Sequence, residues 1–151
     1  MSAKYMPLQI TEDILVFTSY GEKVNYYPIM RKGKMRKRGG AKVKNAVMNT
    51  GLTIGYSNWS NDYFPTNILS YPSKRKGRLH PTEKPIELLE YIIRTYTLEN
   101  EIVLDTYMGV GSTMVACINT KRKYIGYELN DAYFQIAKQR IKYAEESTAR
   151  A

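Results

Sequence analysis

Short apolar runs separated by polar turns, with stretches of helical period between them, make up the pattern of this chain. Ile14-Leu15-Val16-Phe17 follows Thr11-Glu12-Asp13, has no helical period, and predicts a strand inside a sheet. Asn67-Ile68-Leu69-Ser70-Tyr71 predicts a second, short strand. Ile86, Leu88, Leu89, Ile92 and Ile93 recur at helical spacing behind Pro85, whose fixed φ suits a first helical position, and predict a helix ending near Thr97. Ile102-Val103-Leu104 is continuously apolar, as a buried parallel strand is, and Asp105 closes it. Met114 to Ile118 predicts a helix with Ser112 or Thr113 as N-cap, and Tyr124-Ile125-Gly126-Tyr127 a strand that ends in Glu128. Asn130-Asp131 then caps a helix from Ala132 to about Ala144, with Phe134, Ile136, Ala137 and Ile141 inward and Lys138, Gln139, Arg140 and Lys142 largely outward. Ser147 to Ala151 is expected to fray.

The chemistry gathers where these elements meet. Open α/β sheets bind ligands at the carboxyl ends of their strands, which is where Asp105 and Glu128 fall. Gly109 and Gly111 remove Cβ where the chain turns tightly and a ligand approaches backbone. Glu128 lies seventeen positions after Gly111, near the ~20-residue spacing at which an acidic residue meets a ribose in a dinucleotide-binding unit. The third glycine of G-x-G-x-x-G is missing, however, and an aspartate precedes the turn. A carboxylate there repels phosphates and suits a cationic or zwitterionic ligand with a ribose. S-adenosylmethionine is such a ligand, and a nicotinamide-binding dehydrogenase piece is disfavoured.

Three blocks then carry a family resemblance. His80-Pro81-Thr82-Glu83-Lys84-Pro85 before the first helix, Val103 to Thr113, and Tyr124 to Leu129 together resemble the carboxyl-terminal part of the amino-methylating DNA methyltransferases. These are the N6-adenine and N4-cytosine enzymes, in the circular order that puts the cofactor half last. The likeness is close over about residues 78 to 142 and loose before them. Thr106 stands where the family has proline and Tyr107 where it has phenylalanine, so the turn differs while its aromatic character is kept. The resemblance implies a Rossmann-like α/β methyltransferase fold, incomplete at the amino end. It implies S-adenosylmethionine as cofactor, with Thr82, Lys84, Asp105, Tyr107, Gly109, Gly111, Ser112, Glu128 and Leu129 at its site. Thr82 and Lys84 offer a hydroxyl and an ammonium to the cofactor's carboxylate.

Charge adds a partner. With 23 Lys and Arg against 14 Asp and Glu the chain carries a net +9, a balance suited to a polyanion such as DNA and shared by ribosomal and membrane-surface proteins. Arg31 to Lys44 holds eight basic residues and no acid: Arg31, Lys32, Lys34, Arg36, Lys37, Arg38, Lys42 and Lys44. Glycines break the run, which reads either as a solvated loop or as a phosphate-tracking arm. Lys74, Arg75 and Lys76, with Arg78, form a second cluster. Between the two clusters Tyr56, Trp59, Tyr63 and Phe64 sit among turn formers, a mixture that stacks bases or forms a small aromatic cluster. In the family this middle stretch corresponds to the target-recognition insertion.

The organisation expected is residues 1–20 as a sheet strand of the methyltransferase domain, 21–79 as a basic, aromatic insertion, 80–146 as the cofactor-binding part and 147–151 as a tail. Cys117, the single cysteine, sits among apolar residues and is expected to be a core thiol. No stretch is long enough to span a bilayer and no signal-like start is present, so a cytoplasmic location is expected. His80, the single histidine, has no partner at a telling spacing and is assigned to the linker; no metal site is assigned.

One expected motif is missing. The family frees the lone pair of the target amine with a D/N/S-P-P-Y/F/W motif, and this chain has no Pro-Pro dipeptide. Asn61-Asp62-Tyr63-Phe64-Pro65 has related residues in the wrong order, so no catalytic residue is assigned. The expectation is a truncated or split methyltransferase whose catalytic motif lies on a second polypeptide or is lost. The alternative is a non-catalytic DNA-binding remnant or subunit.

Overall fold

The computed structural model describes residues 11–38, 58–72, 79 and 83–150. Two strands, β1 (Arg31–Arg38) and β2 (Asn58–Tyr63), form an antiparallel ribbon. The remaining elements are α1 (Ile86–Tyr96), β3 (Ile102–Asp105), α2 (Ser112–Asn119), β4 (Lys123–Gly126) and α3 (Asp131–Ala149). β3 and β4 pair in parallel, with Ile102 opposite Lys123 and Asp105 opposite Gly126, so β3-α2-β4 is a crossover unit of the α/β kind.

The helices cover one face of this sheet. α2 is buried nearly all round, with Met114, Ala116 and Cys117 inaccessible, because it lies between α1 and α3. Ile93, Ala116 and Cys117 form one core cluster, onto which Ile86, Leu89, Val103 and Tyr124 pack. Met108, Met114 and Ala137 form the other, closed by Tyr124, Phe134 and Ile141. Full burial of a side chain such as Met114 contributes about 1.5–3 kcal/mol. Gly126 makes room here for two methionines, since a Cβ would lie 2.5 Å from the sulfur of Met108 and 3.0 Å from that of Met114 and one of them would have to shift.

One arginine ties the helix ends opposite the glycine turn. Arg122 donates from Nε to Thr97 Oγ1 (3.1 Å), from Nη2 to Thr97 O (2.6 Å) and from Nη1 to Thr120 O. It thereby satisfies carbonyls at the C-terminal ends of α1 and α2 that their helices leave without partners.

Several sequence expectations are corrected. Ile14 to Phe17 forms no strand: among the described residues no strand pairs with it, and Leu15 and Phe17 are largely exposed. Apolar character alone does not make a strand without a ladder to join. Asn67 to Tyr71 likewise has no regular structure. The basic run, read as a loop or arm, is a strand over Arg31–Arg38, because β2 supplies a backbone partner that composition does not reveal. Residues 39–57, which include Lys42, Lys44 and Tyr56, lie outside the described residues.

β3 is parallel as expected but buried on one face alone, since Ile102 and Leu104 are 62% and 59% exposed. α2 begins at Ser112, earlier than expected, and Gly111 in the left-handed region (φ 79°) takes the N-cap position, with no side chain capping it. Asn130 caps α3 as expected, accepting from the N–H groups of Ala132 and Tyr133. That helix runs on to Ala149, so the residues expected to fray from Ser147 include a last helical turn; Ser147 and Thr148 hydroxyls donate back to the carbonyls of Tyr143 and Ala144. Among the described residues no helix is long and apolar enough to cross a membrane.

Candidate functional site

The crossover places a cleft at the carboxyl end of β3. It is bounded by Glu83, Lys84, Asp105, Gly109, Ser112 and Thr113, with Tyr107 at its edge. Asp105 is anchored at both oxygens: Thr113 Oγ1 donates to Oδ2 (2.6 Å) and the Tyr107 N–H to Oδ1 (3.0 Å). Its carboxylate thus shapes the turn as well as facing the cleft. Glu128 follows β4 and folds back, accepting from the Gly109 N–H through Oε2 (3.0 Å) and from the Asn130 N–H through Oε1 (2.8 Å). The two acids expected from the sequence therefore flank one glycine turn, at the ends of neighbouring parallel strands.

The turn is held by close approach of backbone. Gly109 and Gly111 both have positive φ, and a Cβ on Gly111 would lie 3.0 Å from Ala137 Cβ and 3.3 Å from Ala137 Cα. A small residue on α3 meets a glycine on the turn, which lets the loop sit directly on the helix. The Met108 N–H donates to Tyr127 O and the Tyr127 N–H to Asp105 O, so the ladder continues past the strands into the site.

Glu83 and Arg140, which sequence reasoning did not single out, form the best-protected ion pair among the described residues. Arg140 Nη2 lies 2.9 Å from Glu83 Oε1, with side chains 20% and 16% exposed. Ser112 Oγ donates to the same carboxylate oxygen (3.2 Å), and Arg140 Nη1 donates to Val110 O (2.9 Å) and to Ser112 Oγ (3.3 Å). The Leu79 N–H donates to Glu83 Oε2 (3.1 Å). Burial pushes the Glu83 carboxyl up, but the Leu79 amide, the Arg140 charge and the Ser112 hydroxyl more than offset it, and it titrates below its ordinary value. The expectation that Arg140 points outward is corrected. It follows Ile136 by four residues and Ala137 by three, a spacing that puts it on the inward stripe and could have signalled the contact.

Lys84 is at the cleft, where its ammonium meets the carboxylate of Glu12. Ser112 is buried and committed to Glu83 and Arg140, so it supports the turn. Tyr107 and Leu129 are almost fully exposed. Thr82, Lys74, Arg75, Lys76, Arg78 and His80 lie outside the described residues.

The basic candidates that are described line the ribbon. Arg31, Lys32, Lys34, Arg36 and Lys37 are all exposed on β1; of Arg38 only the backbone, paired with Asn58, is described. An irregularity in register lies between Lys32 and Arg36, and Tyr63 fills it. Its ring crosses Gly33, where a Cβ would lie 2.7 Å away, its hydroxyl donates to Lys34 O (2.9 Å), and the Arg36 guanidinium stacks 4.0 Å from its centroid. Lys32 pairs with Asp62 at 2.5 Å. Trp59, opposite Lys37, is two-thirds exposed.

Comparison with known proteins identifies the family. The model of the N6/N4 methyltransferase family, described as DNA methylase, matches residues 2–139. The chain belongs to this DNA methylase family. Among its curated relatives, the type II methyltransferase M2.LlaDCHI of Lactococcus lactis is 40% identical over 76 residues, which are 50% of this chain and 28% of that protein. The type II methyltransferase M.HindIII of Haemophilus influenzae is 35% identical over 104 residues, 68% of this chain and 31% of the relative. This DNA methylase chain thus spans under a third of either relative. The solved structure of an M1.HpyAVI–SAM complex is 29% identical, with 74% of this chain and 63% of that one covered and a TM-score of 0.46.

Proposed function

We propose that this DNA methylase chain is the cofactor-binding part of a site-specific DNA methyltransferase that moves a methyl group from S-adenosylmethionine to the exocyclic amine of adenine or cytosine. The observation that carries the reading is the pair of carboxylates, Asp105 and Glu128, fixed on either side of one glycine turn at the ends of neighbouring parallel strands. Cationic sulfur suits a cleft walled by the Asp105 carboxylate, and Lys84 is the cation for the ligand's carboxylate once Glu12 gives way. Glu128 is placed to accept from ribose hydroxyls, and exposed Tyr107 and Leu129 offer apolar flanks to a flat base. When bound, S-adenosylmethionine supplies an activated methyl group; the described residues bind and orient it.

The cleft has a volume of about 100 Å³, below the roughly 300–1,000 Å³ of complete ligand pockets. It encloses one end of such a ligand, and further polypeptide closes the other in this reading. The same polypeptide supplies the Pro-Pro motif, which this chain lacks. Relatives more than twice as long as the matched segment support that division.

Titration calorimetry tests the site. Asp105→Ala and Glu128→Ala are each expected to weaken S-adenosylmethionine binding by at least several-fold, since a hydrogen bond to a charged group contributes ~1.5–3 kcal/mol. Equal binding of NADH, or unchanged affinity in both variants, rejects the assignment.

A second reading, a DNA-binding subunit without catalysis, is favoured by one observation, the exposed basic ribbon β1–β2. Both readings take DNA as partner. They part on whether the cleft binds the cofactor.

A further inference from the structure

The segment before α1 is joined to the glycine turn through side chains at the wall of the cleft whose polar atoms bond to one another. Glu83 Oε1 meets Ser112 Oγ and Arg140 Nη2, while its other oxygen accepts from the Leu79 N–H. Arg140 in turn reaches across from α3 to Val110 O, inside the turn. Three parts of the chain that are distant in sequence converge on one carboxylate and one guanidinium, both largely withdrawn from water.

We propose that Glu83 and Arg140 are a positioning pair, which holds Lys84 and the Gly109–Gly111 turn at the spacing the cofactor needs. The inference rests on the reading of the cleft as an S-adenosylmethionine site. Its physical basis is adjacency. Lys84 is the next residue after Glu83, so fixing the Glu83 side chain limits where the Lys84 backbone can go. The Val110 carbonyl lies between the two glycines of the turn, so the Arg140 bond limits how that flexible loop can open.

A guanidinium is suited to the task because its fork can bond a carboxylate and a carbonyl at once in fixed geometry, which an ammonium cannot. Bonds to Ser112, Leu79 and Val110 add partners to a shielded pair that would otherwise be costly to bury. The chain thereby preorganises the cleft with side chains whose polar atoms are already committed to one another.

The test uses the full chain, with calorimetric titration of S-adenosylmethionine and amide hydrogen exchange. Glu83→Gln is expected to raise the dissociation constant roughly tenfold, within the range of coupled contact pairs. In the same variant the amides of Leu79, Gly109 and Gly111 should exchange faster, while those of Val115 to Thr120 keep their protection. Arg140→Lys should fall between wild type and Arg140→Gln, and Glu83→Gln combined with Arg140→Gln should bind no more weakly than Arg140→Gln alone.

Unchanged affinity in Glu83→Gln overturns the proposal, as do additive losses in the double variant. A loss of affinity that merely follows weaker protection of α2 assigns the pair to general stability and also overturns it. Failure of the wild-type chain to bind S-adenosylmethionine removes the cofactor reading and this inference with it, whereas wild-type binding with an indifferent Glu83→Gln removes this inference alone.

Discussion

Cys117 has no accessible surface and lies under α1, against Ile93 and Ala116. Burial pushes its thiol up to about 11, with Arg122 lowering and Asp105 raising it by smaller amounts. The consequence for stability has a definite sign. Between the ordinary thiol value of 9.0 and about 11 the unfolded chain loses a proton that the folded chain keeps. Unfolding is therefore favoured increasingly as pH rises through that window, and the thiol adds no such slope below it. Denaturant titrations should show stability falling from pH 9 to 11, and Cys117→Ala should flatten the fall while lowering stability at pH 7 because the packing around the sulfur is removed. A slope identical in the variant would assign the alkaline loss to other groups, of which Tyr124, raised to about 12 by burial and by its bond to Glu145, is the nearest candidate. That Cys117 would be a core thiol was legible from its apolar neighbours in sequence. The inward turn of Arg140 was signalled only by its spacing from Ile136 and Ala137, and its partner was not legible, because the acid that claims it lies 57 residues earlier.

At the scale of elements, legibility followed the range of the forces involved. α1, β3, β4 and the Asn130 cap depend on local periodicity, strand length and capping chemistry, and all appear where the sequence put them to within a residue or two. β1 was not legible, because a strand of closely spaced cations owes its ladder to β2, 20 residues beyond its end, and to Tyr63 folding over Gly33. Ile14 to Phe17 erred the other way, being apolar without a partner strand among the described residues.

The ribbon makes a sharper DNA prediction than the sequence did. Lys32 is tied to Asp62 and Arg36 to the Tyr63 ring, which leaves Arg31, Lys34 and Lys37 as the best-placed cations for phosphates among the described side chains of the strand. Replacing these three with Gln should flatten the log–log salt dependence of duplex binding by about 0.9 for each phosphate that is no longer neutralised. Lys32→Gln should change the slope less than any of them. An unchanged slope in the triple variant would make β1 a solvated surface.

For the whole molecule the deciding feature is the side of the β3–β4 sheet that no helix or strand covers among the described residues. Ile102, Leu104 and Ile125 point away from the helices and are each nearly half exposed or more, while Val103 and Tyr124 between them pack into the core. Parallel sheets occur with both faces covered, and an open edge with an apolar face invites further strands. The cleft at the end of β3 has a volume of about 100 Å³, and the Pro-Pro motif, which by the family resemblance would hold the target amine, is missing from the sequence. A methyl group presented by this chain alone would find no acceptor held in line, and proximity without orientation recovers little of the barrier. Purified alone and given tritiated S-adenosylmethionine and DNA, the chain is accordingly expected to incorporate no label. Incorporation should begin when a polypeptide carrying a D/N/S-P-P-Y/F/W motif on a parallel strand is supplied, and the two should co-purify. Ile102→Lys with Ile125→Lys should abolish that rescue by charging the face to be covered, yet leave S-adenosylmethionine affinity near wild type, because neither side chain borders the cleft. Label transferred by the chain alone and abolished in Asp105→Ala would show instead that an acceptor for the amine lies within these residues, with Asn61 to Pro65 the first place to look.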